Sequence, residues 1–200
     1  MNTHLRWPPA SLATAAISLA AIALPDAWVT KFELTRAPLA GAALWQLWSG
    51  HLLHFGTAHA LTDLVTLITA AAIVESALGS RRVSLLYCVA APVLSLATLL
   101  TAPALTAYRG ASALAVMMSI AAAGVLWREA RLRAPVVLLI TAFAAKLTGD
   151  AFGSATDLAG LPAGVAVVWQ AHAAGALLGA GIALRLAREG SAERYGMIST

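Results

Sequence analysis

TAYRGASALAV, residues 106–116, sets one hydroxyl, Ser112, between a short polar loop and a long apolar run. From Ser112 to Trp127 there is no charge. Downstream, WQAHAAGALLGA at 169–180 carries His172 inside a second apolar run. Polar side chains within membrane-length segments are costly and tend to mark function, so this hydroxyl and this imidazole are the groups to follow. Their segments decide the fold. At 1.5 Å per residue, Ser112 to Trp127 gives a helix of about 24 Å, short for a bilayer. The loop before Ser112 is therefore expected to dip into the protein, which irregular backbone tolerates only around a cavity or inside protein.

The rest of the chain agrees. The 200 residues are 60% hydrophobic and 11% charged, against about 25% charged in soluble domains, and the mean hydropathy is +0.80. This is the composition of an integral membrane protein, expected to fold as one helical domain over 1–200, with its core at about 45–185 and a loose polar tail from Arg188 to Thr200. Six spans are expected: Pro9–Trp28, then Leu52 or Thr57 to Glu75, Val83–Leu100, Ser112–Trp127, Ala134–Thr148 and Gly164–Leu186. Residues 29–50 form the longest connection, with Trp45 and Trp48 suited to an interface. The first apolar run is expected to be a retained span and not a cleaved signal, because the chain keeps spanning after it.

Charge orients the bundle. Arg6, Arg81, Arg82, Arg128, Arg131, Arg133, Arg185 and Arg188 fall on one side, Lys31, Arg36 and Arg109 on the other. Eight against three places both termini in the cytoplasm by the positive-inside rule. This pattern, and not a nucleic-acid partner, accounts for the net charge of +4. Cys88 is the single cysteine, which excludes an internal disulfide and a cysteine-based zinc site. His51, His54, His59 and Asp63 invite a metal reading, but spacings of three and five do not put all three histidines on one helical face, so neither metal nor cofactor is expected. Lys146 and Asp150 are spaced as an i, i+4 pair.

Helical spacing also brings the two groups together. His172, Gly175 and Gly179 share one face, and Ser112, Ala115, Ser119 and Ala122 repeat the pattern. Two small-residue stripes permit close backbone approach in a membrane, with Ser112 on the cavity floor and His172 about 12 Å below the start of its helix. The structural alternatives are a Ser112 hydroxyl bonded back to its own helix and a His172 that only packs.

Taken together, these residues resemble the rhomboid family of intramembrane serine proteases. The family's G-x-S-G reads here Gly110-Ala111-Ser112-Ala113, and its A-H-x-x-G-x-x-x-G is complete in Ala171, His172, Gly175 and Gly179. Its H-x4-H-x3-N appears as His54, His59 and Asp63, and Glu75 is similar to the acidic residue ending the family's second span. Tyr108-Arg109-Gly110 and the GHLLH run look most like the rhombosortase branch, associated with exported proteins that end in a Gly-Gly motif, an apolar helix and a basic cluster. The resemblance implies a serine endopeptidase of the bacterial inner membrane acting on membrane protein substrates. Ser112 would be the nucleophile and His172 the general base. The Ser112 N–H and the His59 side chain would meet the oxyanion. Asp63 would either donate to it as a neutral acid or only hold His59. Arg109 would contact substrate or lipid, or lie solvated at the interface. Ala113, Asp63 and Val116 depart from the family pattern, which keeps open an inactive relative that binds transmembrane helices. A small transporter or metal carrier built on the histidines is the third reading.

Overall fold

The computed structural model describes residues 8–152, 161 and 165–196, with side chains through Arg188. Arg6, the start of the sixth expected span at Gly164 and residues 197–200 lie outside the described residues. The regular secondary structure among them is helical, apart from an isolated bridge between Leu34 and Tyr108. In order they form α1 (Pro9–Ala21), α2 (Asp26–Phe32), α3 (Gln46–Ser49), α4 (Thr57–Leu78), α5 (Ser80–Thr101), α6 (Ser112–Leu126), α7 (Arg133–Ala151) and α8 (Trp169–Gly196). Among them, Thr57–Leu78, Ser80–Thr101 and Ala130–Ala151 are long and apolar enough to cross a membrane, whereas Pro9–Ala21 and Ser112–Leu126 are shorter apolar helices.

Two expected boundaries are corrected. The first span does not reach Trp28: α1 ends at Ala21 and a new helix starts at Asp26. Pro25, which has no N–H to give a continuing helix, caps α2 instead, its carbonyl accepting from Trp28 and Val29. The sixth helix starts at Trp169 and runs to Gly196, so the expected loose tail is largely helix.

Contacts at the two ends of the bundle fix the order of the helices. At one end Glu75, buried late in α4, accepts from Ala10 N at 3.1 Å and Ser11 Oγ at 3.3 Å, and Ser11 Oγ meets Tyr87 Oη at 2.7 Å. A carboxylate on the free N–H groups opening α1 is a favourable cap. Only Gly79, at φ 79°, separates α4 from α5, a turn suited to glycine. At the same end Arg128 Nε donates to Leu186 O, tying the close of α6 to α8.

At the opposite end the 29–50 connection is built, not loose. Trp48 Nε1 donates to Cys88 O at 2.8 Å. That carbonyl is free because Pro92, four residues on inside α5, has no N–H. His51 Nε2 lies 3.1 Å from Ala91 O and 3.0 Å from Ser95 Oγ, and Ser95 donates to Leu47 O. Burial lowers the His51 pKa to about 4, leaving it a neutral structural ring. Arg36 reaches Leu99 O at the end of α5.

Candidate active site

Ser112 is the first residue of α6. The connection holds the loop that delivers it. Leu34 and Tyr108 exchange backbone bonds at 3.1 and 2.8 Å, and Gly110 N donates to Gly50 O at 3.1 Å. Arg109 Nε pairs with Glu33 Oε2 at 2.9 Å, and its guanidinium lies over Phe55. Arg109 is thus a partly buried clamp on this loop, which corrects the solvated interfacial role expected of it. Gly110 sits at φ +145°, and a Cβ there would stand 3.1 Å from both Asp63 Oδ2 and His59 Cε1. Conformation and space both call for glycine.

Starting a helix at Ser112 leaves the first N–H groups of α6, those of Ser112 and Ala113 among them, outside the intrahelical ladder. They carry the positive end of the helix dipole. The two serines of α6 then divide. Ser119 Oγ bonds back to Ala115 O at 2.8 Å, the ordinary state of a helical serine. Ser112 has no preceding helical turn to bond to, and its Oγ lies 3.4 Å from Tyr108 Oη. Burial raises the Tyr108 pKa, so the phenol keeps its proton.

His172 is the third residue after Trp169, only about 4.5 Å along the axis of α8, and not the 12 Å expected. Residues 165–168 approach it without helix. Its helix is seated by glycine. A Cβ on Gly175 would collide with Ala113 O, one on Gly179 would lie 2.6 Å from Met117 O, and one on Gly124 would lie 2.5 Å from Ala183 Cα. The pairs ascend together, so α6 and α8 run parallel with backbones in contact. The α6 face in this seam is Ala113, Met117, Ile120 and Gly124, not the expected Ser112, Ala115, Ser119 and Ala122. That second stripe lines a cavity instead.

The cavity, of about 1020 Å³, also takes in His59, Asp63, Arg109, Tyr108, Val116, Lys146 and His172. Ser112 and His172 therefore face one space. Among the described residues no hydrogen bond joins them in this state. His172 Nδ1 lies 3.7 Å from Asp150 Oδ2, an oxygen that also accepts Lys146 Nζ at 2.6 Å. The expected i, i+4 pair forms, but the link from Asp150 to His172 is a contact that spacing did not signal. Tyr108 beside Ser112 and Glu33 beside Arg109 were equally unread.

Across the cavity His59 and Asp63 are both buried in α4. Phe55 N donates to His59 Nδ1 at 3.4 Å, which puts the ring proton on Nε2. That nitrogen lies 3.4 Å from Asp63 Oδ2 and beside Gly110. His54 Nε2 accepts Ala111 N at 3.3 Å and lies 3.3 Å from the same Asp63 oxygen. Two histidines and a carboxylate thus back the loop that ends at Ser112. Val65 of α4 and Leu139 of α7 line the cavity and are also 61% and 66% exposed, so the space opens sideways between these helices.

The model of the Rhomboid domain matches residues 41–189. No curated protein matches the chain.

Proposed function

The chain belongs to the rhomboid family, and on that premise we propose that Ser112 and His172 cleave peptide bonds of membrane-embedded segments in other proteins. The family consists of intramembrane serine proteases acting on membrane protein substrates, with inactive members among them. The observation that carries the proposal is the pairing of roles in one cavity. A serine not bonded back to its own helix opens α6, and a histidine lines the same cavity from a helix held against α6 by glycine-to-backbone contact.

In this reading Ser112 Oγ attacks the scissile carbonyl carbon as His172 takes the hydroxyl proton. The oxyanion is met by N–H groups of the first turn of α6 and by His59 Nε2–H, turning to it from Asp63 Oδ2, the acceptor it faces at 3.4 Å before substrate arrives. Collapse breaks the C–N bond, and the proton on His172 passes to the leaving amine. Water, deprotonated by the same histidine, then releases the acyl group from Ser112. The sideways opening between α4 and α7 admits a helix from the bilayer. Six spans with both termini cytoplasmic place Ser112 toward the outer face of a bacterial inner membrane. Substrates of the rhombosortase type, with a Gly-Gly motif before an apolar helix and a basic cluster, fit that placement.

An inactive helix-binding relative is the second reading, supported by Tyr108, and not His172, being the neighbour of the Ser112 hydroxyl. Covalent labelling of Ser112 by a serine-reactive phosphonate separates the two. Labelling lost in both Ser112→Ala and His172→Ala supports the protease. No labelling of the parent in detergent or lipid supports the relative.

A further inference from the structure

Asp150 is the buried acid to which the serine–histidine reading gives no task. It lies near the end of α7, a helix in which Val136 is the other buried residue. Ionisable groups at such a position are costly and call for an explanation. Lys146 alone is not one. An i, i+4 pair forms on any face of a helix, including one turned to headgroups and water. Here the lysine side chain is 32% exposed while that of Asp150 is 2% exposed. The carboxylate is turned inward, toward α8 and His172.

We propose that Asp150 is a positioning residue that accepts the Nδ1–H of His172 and so leaves Nε2 bare for the Ser112 hydroxyl; this rests on the serine–histidine reading above. A histidine serving as general base needs its proton fixed on the far nitrogen. With Nδ1 facing Asp150 Oδ2 at 3.7 Å, Nε2 is the nitrogen left for the nucleophile. The carboxylate also stabilises the imidazolium formed at the attack, in surroundings of low dielectric where charge counts for more. The contact is longer than a hydrogen bond, as is common before substrate closes a site. Lys146 holds the same oxygen at 2.6 Å, so the lysine and the histidine share one acceptor. The charged groups facing His172 are Lys146 and Asp150 of α7 and Asp63 of α4, and of these acids Asp150 is the one in contact with the ring. The bundle thus builds a third member onto the pair from a separate helix.

The test uses the full chain in lipid and a fluorophosphonate probe. Labelling forms the Ser112 Oγ–P bond, expels fluoride and passes the hydroxyl proton to His172. Rates against probe concentration separate the labelling step from probe binding. Labelling of the parent and none of Ser112→Ala establishes the underlying reading; failure there overturns that reading, whatever Asp150 does. Given that control, Asp150→Asn is expected to slow the labelling step about 10²-fold, with probe binding and the unfolding midpoint unchanged. The effect is set below the ~10⁴ of a fully bonded triad because the contact is longer and shared. Asp150→Glu, which keeps the charge, is expected to lose less. Adding Lys146→Met to Asp150→Asn is expected not to restore the rate. A parent-like rate in Asp150→Asn overturns the proposal. So does a rate recovered by Lys146→Met, which would make Asp150 only a counter-charge for the lysine. A loss that tracks a lowered unfolding midpoint in both Asp150 variants overturns it as well.

Discussion

The seam between α6 and α8 and the helix α7 are built on opposite principles. In the seam, Gly124, Gly175 and Gly179 bring backbone onto backbone, and Ala113, Met117, Ala121 and Ala171 have no exposed surface. In α7, Leu138 and Leu139 are 69% and 66% exposed, and the buried residues are Val136 and Asp150. Lipid is as apolar as leucine, so burial alone holds no helix in place; close van der Waals contact and polar contacts do. The nucleophile and base therefore ride on the part of the bundle with the most intimate packing. One wall of their cavity is a helix that presents most of its apolar surface outward. Rigid placement of reacting groups and access for a substrate from the bilayer are assigned to different helices.

The severest way to break the comparison is Gly175→Leu. Its side chain meets the Ala113 backbone, which cannot step aside as a flexible side chain does. Overpacking of this kind costs about 1–3 kcal/mol or more, and an active-site shift of about 1 Å costs around 10²-fold in rate. The expected outcome is a lowered unfolding midpoint and proteolysis reduced by at least that factor. A fully active variant would show that the seam does not set the His172 position.

Next in size is His59→Ala, on the wall opposite α7. Loss of one oxyanion donor costs about 10²–10³ in kcat. The variant is expected to fold, since His59 is held by its own helix and by Phe55 N at 3.4 Å. Unchanged kcat on a membrane-embedded substrate would remove His59 from the chemistry and leave it a support for Gly110.

A paired substitution sharpens the contrast directly. Met117→Ala in the seam empties a fully buried site, and Leu138→Ala trims a lipid-facing one. Met→Ala in a core costs about 2–5 kcal/mol. In a bilayer the transfer part of that cost shrinks and the cavity part remains, so the low end is expected. Leu138→Ala is expected to stay within about 0.5 kcal/mol. Equal effects in thermal unfolding would mean that α7 is held as firmly as α6.

The sequence made α4, α5, α6 and α7 legible to within a few residues, because each apolar run is bounded by glycine, arginine or a polar loop. Two boundaries misled for different reasons. Hydropathy ran the first span through Pro25, where a proline could equally have kinked a continuing helix. Val165–Val168 are apolar like a helix, yet line the cavity without being one. The contact face of α6 lies one or two residues from the expected stripe, at Ala113, Met117, Ile120 and Gly124. An alanine-rich helix has small residues all round, so periodicity alone does not choose its contact face. The motif placed Ser112, His172, His59 and Asp63 at one cavity. Tyr108 at Ser112, Glu33 at Arg109 and Asp150 at His172 came only with the fold, the last two joining residues 76 and 22 apart.

The smallest expected effect on cleavage is also the one that weighs the departure from the family motif. Ala113 follows the nucleophile where the family has glycine. A site that needed positive φ would strain alanine, but Ala113 lies in the first turn of α6, fully buried, with its carbonyl against Gly175. The partner helix supplies the room instead: glycine stands at 175 where the motif's second glycine is lost at 113. Close approach across the seam therefore survives with one glycine of the two. Ala113→Gly is expected to cost about 0.5–1 kcal/mol in stability, the usual penalty of glycine within a helix, and to leave the cleavage rate within a few-fold of the parent. The comparison to run is both forms side by side on one membrane-embedded substrate, with thermal unfolding alongside. Cleavage by the glycine form alone would mean that the alanine methyl had closed the site and that the natural chain binds helices without cutting them.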